Sequence, residues 1–489
     1  VKIPPLADRL AQVEELRAVL WREREPLIRA AIADCAFTYQ ESLLEAETIK
    51  ERLAGFTGMA AVFARRRPLA APHQEVALIL PYNGSAWLNT AIVSIYLVGN
   101  RVRVKFASRD SRIARLTEGL YRPIFGDAIR FDYGDGRRFM ERALRDPEVP
   151  AICMFGSDNH ALQHEAAVRA FRKKFVFEGP GKDPFIVLPD ADLEEAAREL
   201  AFSKYQYAGQ TCTAPERVYL HEGIHDEFVR IFVDLSRRVR LGDPADPATE
   251  MGPVISLPAL RAIEAQLKDA VAKGGRILLG GTITKGFVPP TVVVNATQEM
   301  RGMQEETFGP VAFIARFRTP EEALRLARDN RYGLRATIYG GEEAEEMGRA
   351  LVGEPYCHPV PAWRFGFFGT VSVNQPRAET WVGAFVSQAV GGYGYSGWIW
   401  EPGEEGMVLK QGPKLLSLET SVEEGEPGRS LAGTDKISLP RRLSSSAFPS
   451  AGSGGPRRGR GPGPGATRRS RPSAAPLRPG GAGVLPPGP

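Results

Sequence analysis

The chain holds only four cysteines and six histidines in 489 residues. Cys35, Cys153, Cys212 and Cys357 are widely spaced and never share a Cys-x-x-Cys or Cys/His pattern, so neither a disulfide framework nor a zinc site is implied. His160 and His164 stand four apart on an expected helix with no third ligand in view; two solvent-facing imidazoles are expected there, and no metal. No run of about 18 apolar residues could span a bilayer. The chain as given opens at Val1 without a basic, apolar leader, and a soluble protein of the reducing cytoplasm is the expectation.

Acidic residues are missing from one place in particular. After Pro440 the chain carries Arg441, Arg442, Arg457, Arg458, Arg460, Arg468, Arg469, Arg471 and Arg478 and no Asp or Glu. These nine arginines exceed the formal net charge of +5, so the remainder is net acidic and no specific nucleic-acid partner is indicated. From about Gly425 onward Gly, Pro, Ser, Ala and Arg dominate. Almost no aromatic or β-branched residue is left there to build a core, and 425–489 reads as a disordered tail.

What remains is rich in core-forming residues: 43% of the chain is hydrophobic, enough for two or three domains. Leu10, Val13, Leu16 and Leu20, then Leu27, Ile28, Ala31 and Ile32, recur at helical spacing among charges, which predicts two or three amphipathic helices. Short apolar runs at 76–80, 101–105, 129–131, 151–155 and 174–177 alternate with helical stretches, and a second alternation follows. Its expected strands are 185–188, 217–220, 276–279, 291–294, 311–314 and 337–339, with helices at 192–203, 225–240 and 320–330. The fold class is therefore α/β, with two open, largely parallel sheets in two domains.

The run Gln210-Thr211-Cys212-Thr213-Ala214 isolates one thiol in a small, polar, turn-like setting, where a nucleophile is expected. Thirty-four positions upstream, Glu178 stands before Gly179-Pro180-Gly181, a carboxylate on a mobile turn that suits a general base. Nucleophile and base together point to covalent catalysis. Cys212 as an ordinary packed cysteine is the competing reading.

Several ordered segments carry a family likeness: Pro81-Tyr82-Asn83, Val104-Lys105, Phe155-Gly156-Ser157, Glu178-Gly-Pro-Gly-Lys182, Gly209-Gln210-Thr211-Cys212, Glu305-Glu306-Thr307-Phe308-Gly309-Pro310, Val373-Asn374 and Gly391-Gly392-Tyr393-Gly394-Tyr395-Ser396-Gly397. With them, roughly 65–420 resembles the aldehyde dehydrogenase superfamily. The resemblance implies a Rossmann-like dinucleotide-binding domain (1–62 and 74–178), a catalytic domain (179–400) and a small β oligomerisation arm (63–73 and 408–424). Lys414-Leu415-Leu416-Ser417-Leu418 would be a strand of that arm, and a homodimer or tetramer is implied.

The resemblance also assigns roles. Cys212 would attack a small-molecule aldehyde, the Asn83 amide would stabilise the oxyanion, and Glu178 would activate water against the thioester. Lys105 would hold the adenosine ribose, Gly156 and Ser157 the pyrophosphate, and Glu306 and Phe308 the nicotinamide end of NAD or NADP. Ser108 stands where NAD-preferring relatives often carry glutamate, and Arg109 beside it suits a 2′-phosphate, so both cofactors stay open. Pro180 departs from the usual Glu-Leu-Gly-Gly-Lys and stiffens the turn. Transfer of the acyl group to coenzyme A or a carrier, and an inactive scaffold that keeps the dinucleotide fold, are the alternatives. Trp381, Phe385, Trp398 and Trp400 are read either as an aromatic tunnel or as packed core.

Overall fold

The structure, a computed structural model, describes residues 2–66, 74–83, 89–353, 366–376 and 389–420. Cys357, Trp381, Phe385, Gly84 and Ser85, residues 67–73 and 421–424 of the expected arm, and the 425–489 tail lie outside the described residues. In chain order the sheet strands are β1 (Glu75–Ile79), β2 (Arg101–Lys105), β3 (Ile129–Phe131), β4 (Ala151–Phe155), β5 (Lys174–Glu178), β6 (Asp183–Val187) and β7 (Pro215–His221). They continue with β8 (Arg276–Leu279), β9 (Thr291–Val294), β10 (Val311–Phe317), β11 (Arg335–Tyr339), β12 (Thr370–Val373), β13 (Gly397–Gly403) and β14 (Gly406–Lys410).

Two seven-stranded sheets result. The first runs β14-β13-β5-β4-β1-β2-β3, parallel from β5 to β3 and antiparallel at β13 and β14. The second runs β12-β11-β6-β7-β10-β9-β8, with only β8 antiparallel. Each strand expected from the apolar runs is present. Residues 397–400, read with the catalytic stretch, pair instead with β5 of the first sheet, Trp398 opposite Phe177.

Strand periodicity explains how the first sheet is covered. Leu78, Cys153 and Val176 point to one face, where they pack with Val13, Leu16 and Leu20 of the helix Leu6–Arg22 and with Ile49, Leu53 and Phe56 of the helix Tyr39–Arg66. Ala77, Ile152, Phe175 and Phe177 point the other way, against Phe139 and Met140 of the helix Gly136–Arg145 and against Trp398 and Trp400. These two tryptophans are therefore packed core and not the wall of a tunnel. The second sheet has its own continuous core, built on Phe185, Val218, Phe232 and Phe313.

The expected arm strand is shorter than the apolar run implied. Lys414–Leu415 pairs antiparallel with Ala389–Val390, and then Leu416–Glu419 turns helical with Leu416 buried in the first domain's core. The Asn100 side chain donates to Thr420 O at 2.9 Å and the Thr420 hydroxyl to Leu416 O at 2.6 Å. The local bond of the Thr420 hydroxyl and the long-range one of Asn100 thus both satisfy backbone carbonyls of a turn in place of an extended strand.

In the first sheet the strand order reverses between β1 and β4, so a crevice opens at their carboxyl ends, the position where open α/β sheets bind ligands. Residues 179–182 connect β5 of this sheet to β6 of the second. Trp398, 1% exposed and 4.3 Å from the Phe177 ring, packs on the strand end that leads into that crossing. Trp398→Ala is expected to lose about 3–5 kcal/mol, measured by urea unfolding; a loss under about 1 kcal/mol would mean the site collapses around the gap.

Candidate active site

Cys212 follows the helix Leu193–Tyr205 and a short turn, Gln206–Gly209, and stands three residues before the start of β7. Three consecutive residues of this approach are left-handed, Tyr207 at φ 54°, Ala208 at 51° and Gly209 at 71°. For the two non-glycines that costs roughly 1–2 kcal/mol each, so the turn must be held. Gln210 N and Nε2 both donate to Tyr207 O at 3.0 Å. Tyr207 N donates to Glu41 Oε1 at 2.5 Å. At Gly209 a Cβ would lie 2.3 Å from Gly309 O, so only glycine fits where the nucleophile loop crosses the loop before β10.

Glu178 ends β5 with its carboxylate buried, and the Cys212 thiol donates to its Oε1 at 3.4 Å. The turn between them is shaped by close approach. A Cβ at Gly181 would sit 2.1 Å from Cys212 O, while Ser396 ties the turn down, accepting from Gly179 N through its carbonyl at 3.0 Å and donating its hydroxyl to Pro180 O at 2.6 Å. Pro180 lies in a turn secured from outside and gives up no bond of a regular element.

Burial governs the ionisation here. It pushes the Glu178 carboxyl up to about 7, with the Cys212 thiol and the Lys414 ammonium pulling back. Cys212 keeps some exposed surface, yet its thiol is surrounded by protein and is pushed well above its ordinary range, first by burial and then by the charges of Glu178, Glu306 and Asp183. The resting pair is thus a thiol beside a carboxyl group near its titration point, an arrangement in which the proton can pass from sulfur to oxygen. Cys35 and Cys153 are fully buried with raised thiols.

Asn83, buried on the loop after β1, reaches the nucleophile loop from the other sheet. Its Nδ2 donates to Gln210 O at 3.1 Å. That acceptor lies two residues before Cys212. A second amide hydrogen remains for an oxyanion.

The other candidate residues lie at or beyond the ends of β2 and β4 and in the loop before β10. Lys105, at the end of β2, is buried and donates to Phe106 O at 2.5 Å. Ser108 and Arg109 follow on the surface; Arg109 donates to Ile255 O at 2.9 Å and its guanidinium lies 5.5 Å from the Tyr82 ring centroid. Gly156 and Ser157 follow β4, and Ser157 Oγ accepts from His160 N at 3.4 Å. Glu306 accepts from Gly181 N at 3.2 Å, and burial raises its carboxyl well above the usual range. Phe308 meets Tyr82 edge-on at 6.1 Å. These contacts bring Cys212, Glu178, Asn83, Glu306 and Phe308 together, while Lys105 ends β2 with Ser108 and Arg109 beyond it, and Gly156 and Ser157 follow β4. Among the described residues no group of three His, Cys, Asp or Glu could hold a metal ion.

Comparison with known proteins identifies the family. The aldehyde dehydrogenase family model matches residues 3–407. The chain belongs to the aldehyde dehydrogenase family. It is 33% identical over 349 residues to a succinate-semialdehyde dehydrogenase [NADP(+)] of Mycobacterium avium, covering 69% of this chain and 73% of that protein. It is 35% identical over 284 residues to the succinate semialdehyde dehydrogenase [NAD(P)+] Sad of Escherichia coli, covering 56% and 60%. The structure of betaine aldehyde dehydrogenase from Staphylococcus aureus in complex with NAD+ superposes with a TM-score of 0.70 at 25% identity, over 83% of this chain and 82% of that one. Like its family, the chain is an NAD(P)-dependent oxidoreductase that acts on the aldehyde group and forms the acid.

A dinucleotide fits the donor set of this aldehyde dehydrogenase. An ammonium (Lys105) at the end of β2 and a hydroxyl on a glycine turn (Ser157) after β4 are donors, and the Glu306 carboxylate an acceptor, of the kinds that a pyrophosphate and ribose hydroxyls require. Sequence reading passed over Glu41, Gln210 and Lys414 as parts of the site. For Glu41 a signal existed: Thr38-x-x-Glu41 is a capping box, and its reciprocal bonds form at 2.8 Å and 3.2 Å.

Iodoacetamide is expected to label Cys212 in the native protein slowly at pH 7 and faster with each increase in pH, because only the thiolate reacts and its formation is opposed. Cys35 and Cys153 should stay unlabelled. Peptide mass spectrometry reads this out, and native labelling of Cys35 or Cys153 as fast as Cys212 would contradict the burial pattern.

Proposed function

We propose that Cys212 becomes acylated by the aldehyde substrate and that Glu178 serves it twice. The carboxylate first takes the thiol proton as sulfur adds to the aldehyde carbon. The oxygen that gains negative charge faces the free N–H of Asn83, and one lost donor of this kind costs about 2.7–4 kcal/mol of transition-state stabilisation. Bound NAD or NADP supplies the acceptor for the hydride that leaves the substrate carbon. Glu178, deprotonated again, then takes a proton from water as it attacks the thioester, and the acid departs with the Cys212 thiol restored. One aldehyde and one water are consumed per acid formed, with one hydride delivered and one proton released.

The observation that carries this reading is the 3.4 Å contact between the Cys212 sulfur and Glu178. It also favours hydrolysis over transfer to coenzyme A, since the base already lies beside the acyl position. Lys105 and Glu306 serve the two riboses and Ser157 the pyrophosphate. Ser108 in place of an acid, with Arg109 next to it, suits NADP as well as NAD. The printed activities of the curated relatives make succinate semialdehyde the first aldehyde to test. Catalysis by a free thiol suits a reducing compartment, and we place the enzyme in the cytoplasm as an even homo-oligomer.

Cys212→Ser should bind cofactor and give no burst of reduced nicotinamide, while Glu178→Gln should give at most one turnover and then stall. Stopped-flow absorbance with succinate semialdehyde and NADP, without added thiol, measures both; an undiminished burst from the serine variant rejects the mechanism. The pH dependence follows from the raised Glu178 carboxyl: the base works only when ionised, so deacylation should climb as pH rises through about 7 and level off above it. A deacylation rate flat from pH 5.5 to 8.5 would remove Glu178 from the base role.

A further inference from the structure

Glu216 takes no part in the chemistry above, yet three segments of the site end on its carboxylate. It lies on β7, four residues after Cys212, and is 1% exposed. Its Oε2 accepts from Lys182 Nζ and from Thr307 N, both at 2.8 Å, and its Oε1 accepts from Phe308 N at 2.8 Å. Lys204 Nζ stands 3.9 Å from Oε1. Lys182, itself fully buried, also donates to Thr307 Oγ1 at 2.8 Å; that hydroxyl donates to Gln266 Oε1 at 2.8 Å, and Gln266 Nε2 reaches Glu306 O at 3.1 Å. The neighbouring Arg217 donates to Lys182 O at 2.8 Å.

The consequence is geometric. Lys182 closes the turn that carries Glu178, Thr307 and Phe308 belong to the loop beside Glu306, and β7 grows out of the nucleophile loop. Phe308 is moreover left-handed at φ 51°, a conformation that persists only where its surroundings hold it. Burial by itself would raise the Glu216 carboxyl, but Lys182 and Lys204 outweigh it and keep it ionised below the usual carboxylate range.

We propose that Glu216 is a positioning residue that sets the water-activating turn and the nicotinamide-side loop at a fixed distance from Cys212. This rests on the roles given above to Cys212, Glu178 and Glu306. A carboxylate is required because its two oxygens accept three N–H groups; an amide in its place would turn an NH2 group toward at least one of those donors.

The test compares wild type, Glu216→Gln and the double variant Lys182→Met/Glu216→Gln, the last removing the ammonium that the single change would leave buried without its partner. Two readouts need no turnover: the Kd for NADP from quenching of protein fluorescence, and the pH profile of Cys212 alkylation by iodoacetamide. Loss of bonds to a charged group predicts a Kd raised about tenfold or more in both variants. Release of the turn predicts an alkylation profile moved to lower pH as Glu178 drifts from the sulfur. The double variant should recover thermal stability over the single one while keeping both defects. A Kd within twofold of wild type and an unmoved alkylation profile in a folded variant would overturn the proposal and leave Glu216 a stabilising residue only. Should Glu216→Gln fail to fold, the double variant decides alone. Failure of wild type to bind either NADP or NAD counts instead against the functional reading, and the alkylation profiles still judge Glu216.

Discussion

Gly181 is the point at which two sheets meet closely enough for chemistry. Glu178 ends the last parallel strand of one sheet and Asp183 opens the first strand of the other, so the four residues between them must cross the seam. They cross directly over the nucleophile loop, where a Cβ on Gly181 would stand 2.1 Å from Cys212 O. Any side chain there would drive the turn and the loop apart. The sulfur would then leave the Glu178 carboxyl, and that buried group would lose the thiol that partly offsets its burial. Geometry and ionisation at this site are therefore one constraint.

The carboxyl groups around that seam divide by what touches them. Glu216 has ammonium groups against it and is held ionised, whereas Glu178, Asp183 and Glu306 are raised by burial because cations lie farther off or are shared. An ionised anchor and acids free to gain or lose a proton thus stand side by side within one low-dielectric region. The division suits the proposed reaction, since a base must change its protonation while the frame that holds it must not.

The legibility of this arrangement in the sequence follows the range of the interactions. Strands such as β4 and β9 are buried on both faces and show themselves as unbroken apolar runs. Cys212, Glu178 and Glu306 stand in short glycine-bearing segments whose composition is odd for a core. Glu216 was invisible by comparison: a glutamate amid a strand reads as a surface charge, and its partners lie 34, 91 and 92 positions away. Asn83 was legible as a donor, but its acceptor, 127 positions distant, was not. The helical end at Leu416–Glu419 escaped for the opposite reason, because an apolar run that short fits strand and helix equally.

Glu41 shows why the N-terminal helices belong to the site and are more than cover for the first sheet. One of its oxygens closes the capping box with Thr38 N while the other takes Tyr207 N. Burial drives this carboxyl up to about 7, opposed by those two backbone bonds, and the first turn of a helix favours a negative charge. The same group therefore stabilises the start of the helix Tyr39–Arg66 and the left-handed approach to Cys212. Without that acceptor Tyr207 N would be a buried donor with no carboxylate to meet, on a backbone already bearing the cost of two left-handed non-glycine residues. The turn would relax toward ordinary φ, and Gly209, packed against Gly309 O, could follow only by moving the loop before β10 as well. The position of the sulfur is consequently set from three directions: the first-domain helices through Glu41, the loop after β1 through Asn83, and the crossing turn through Gly181.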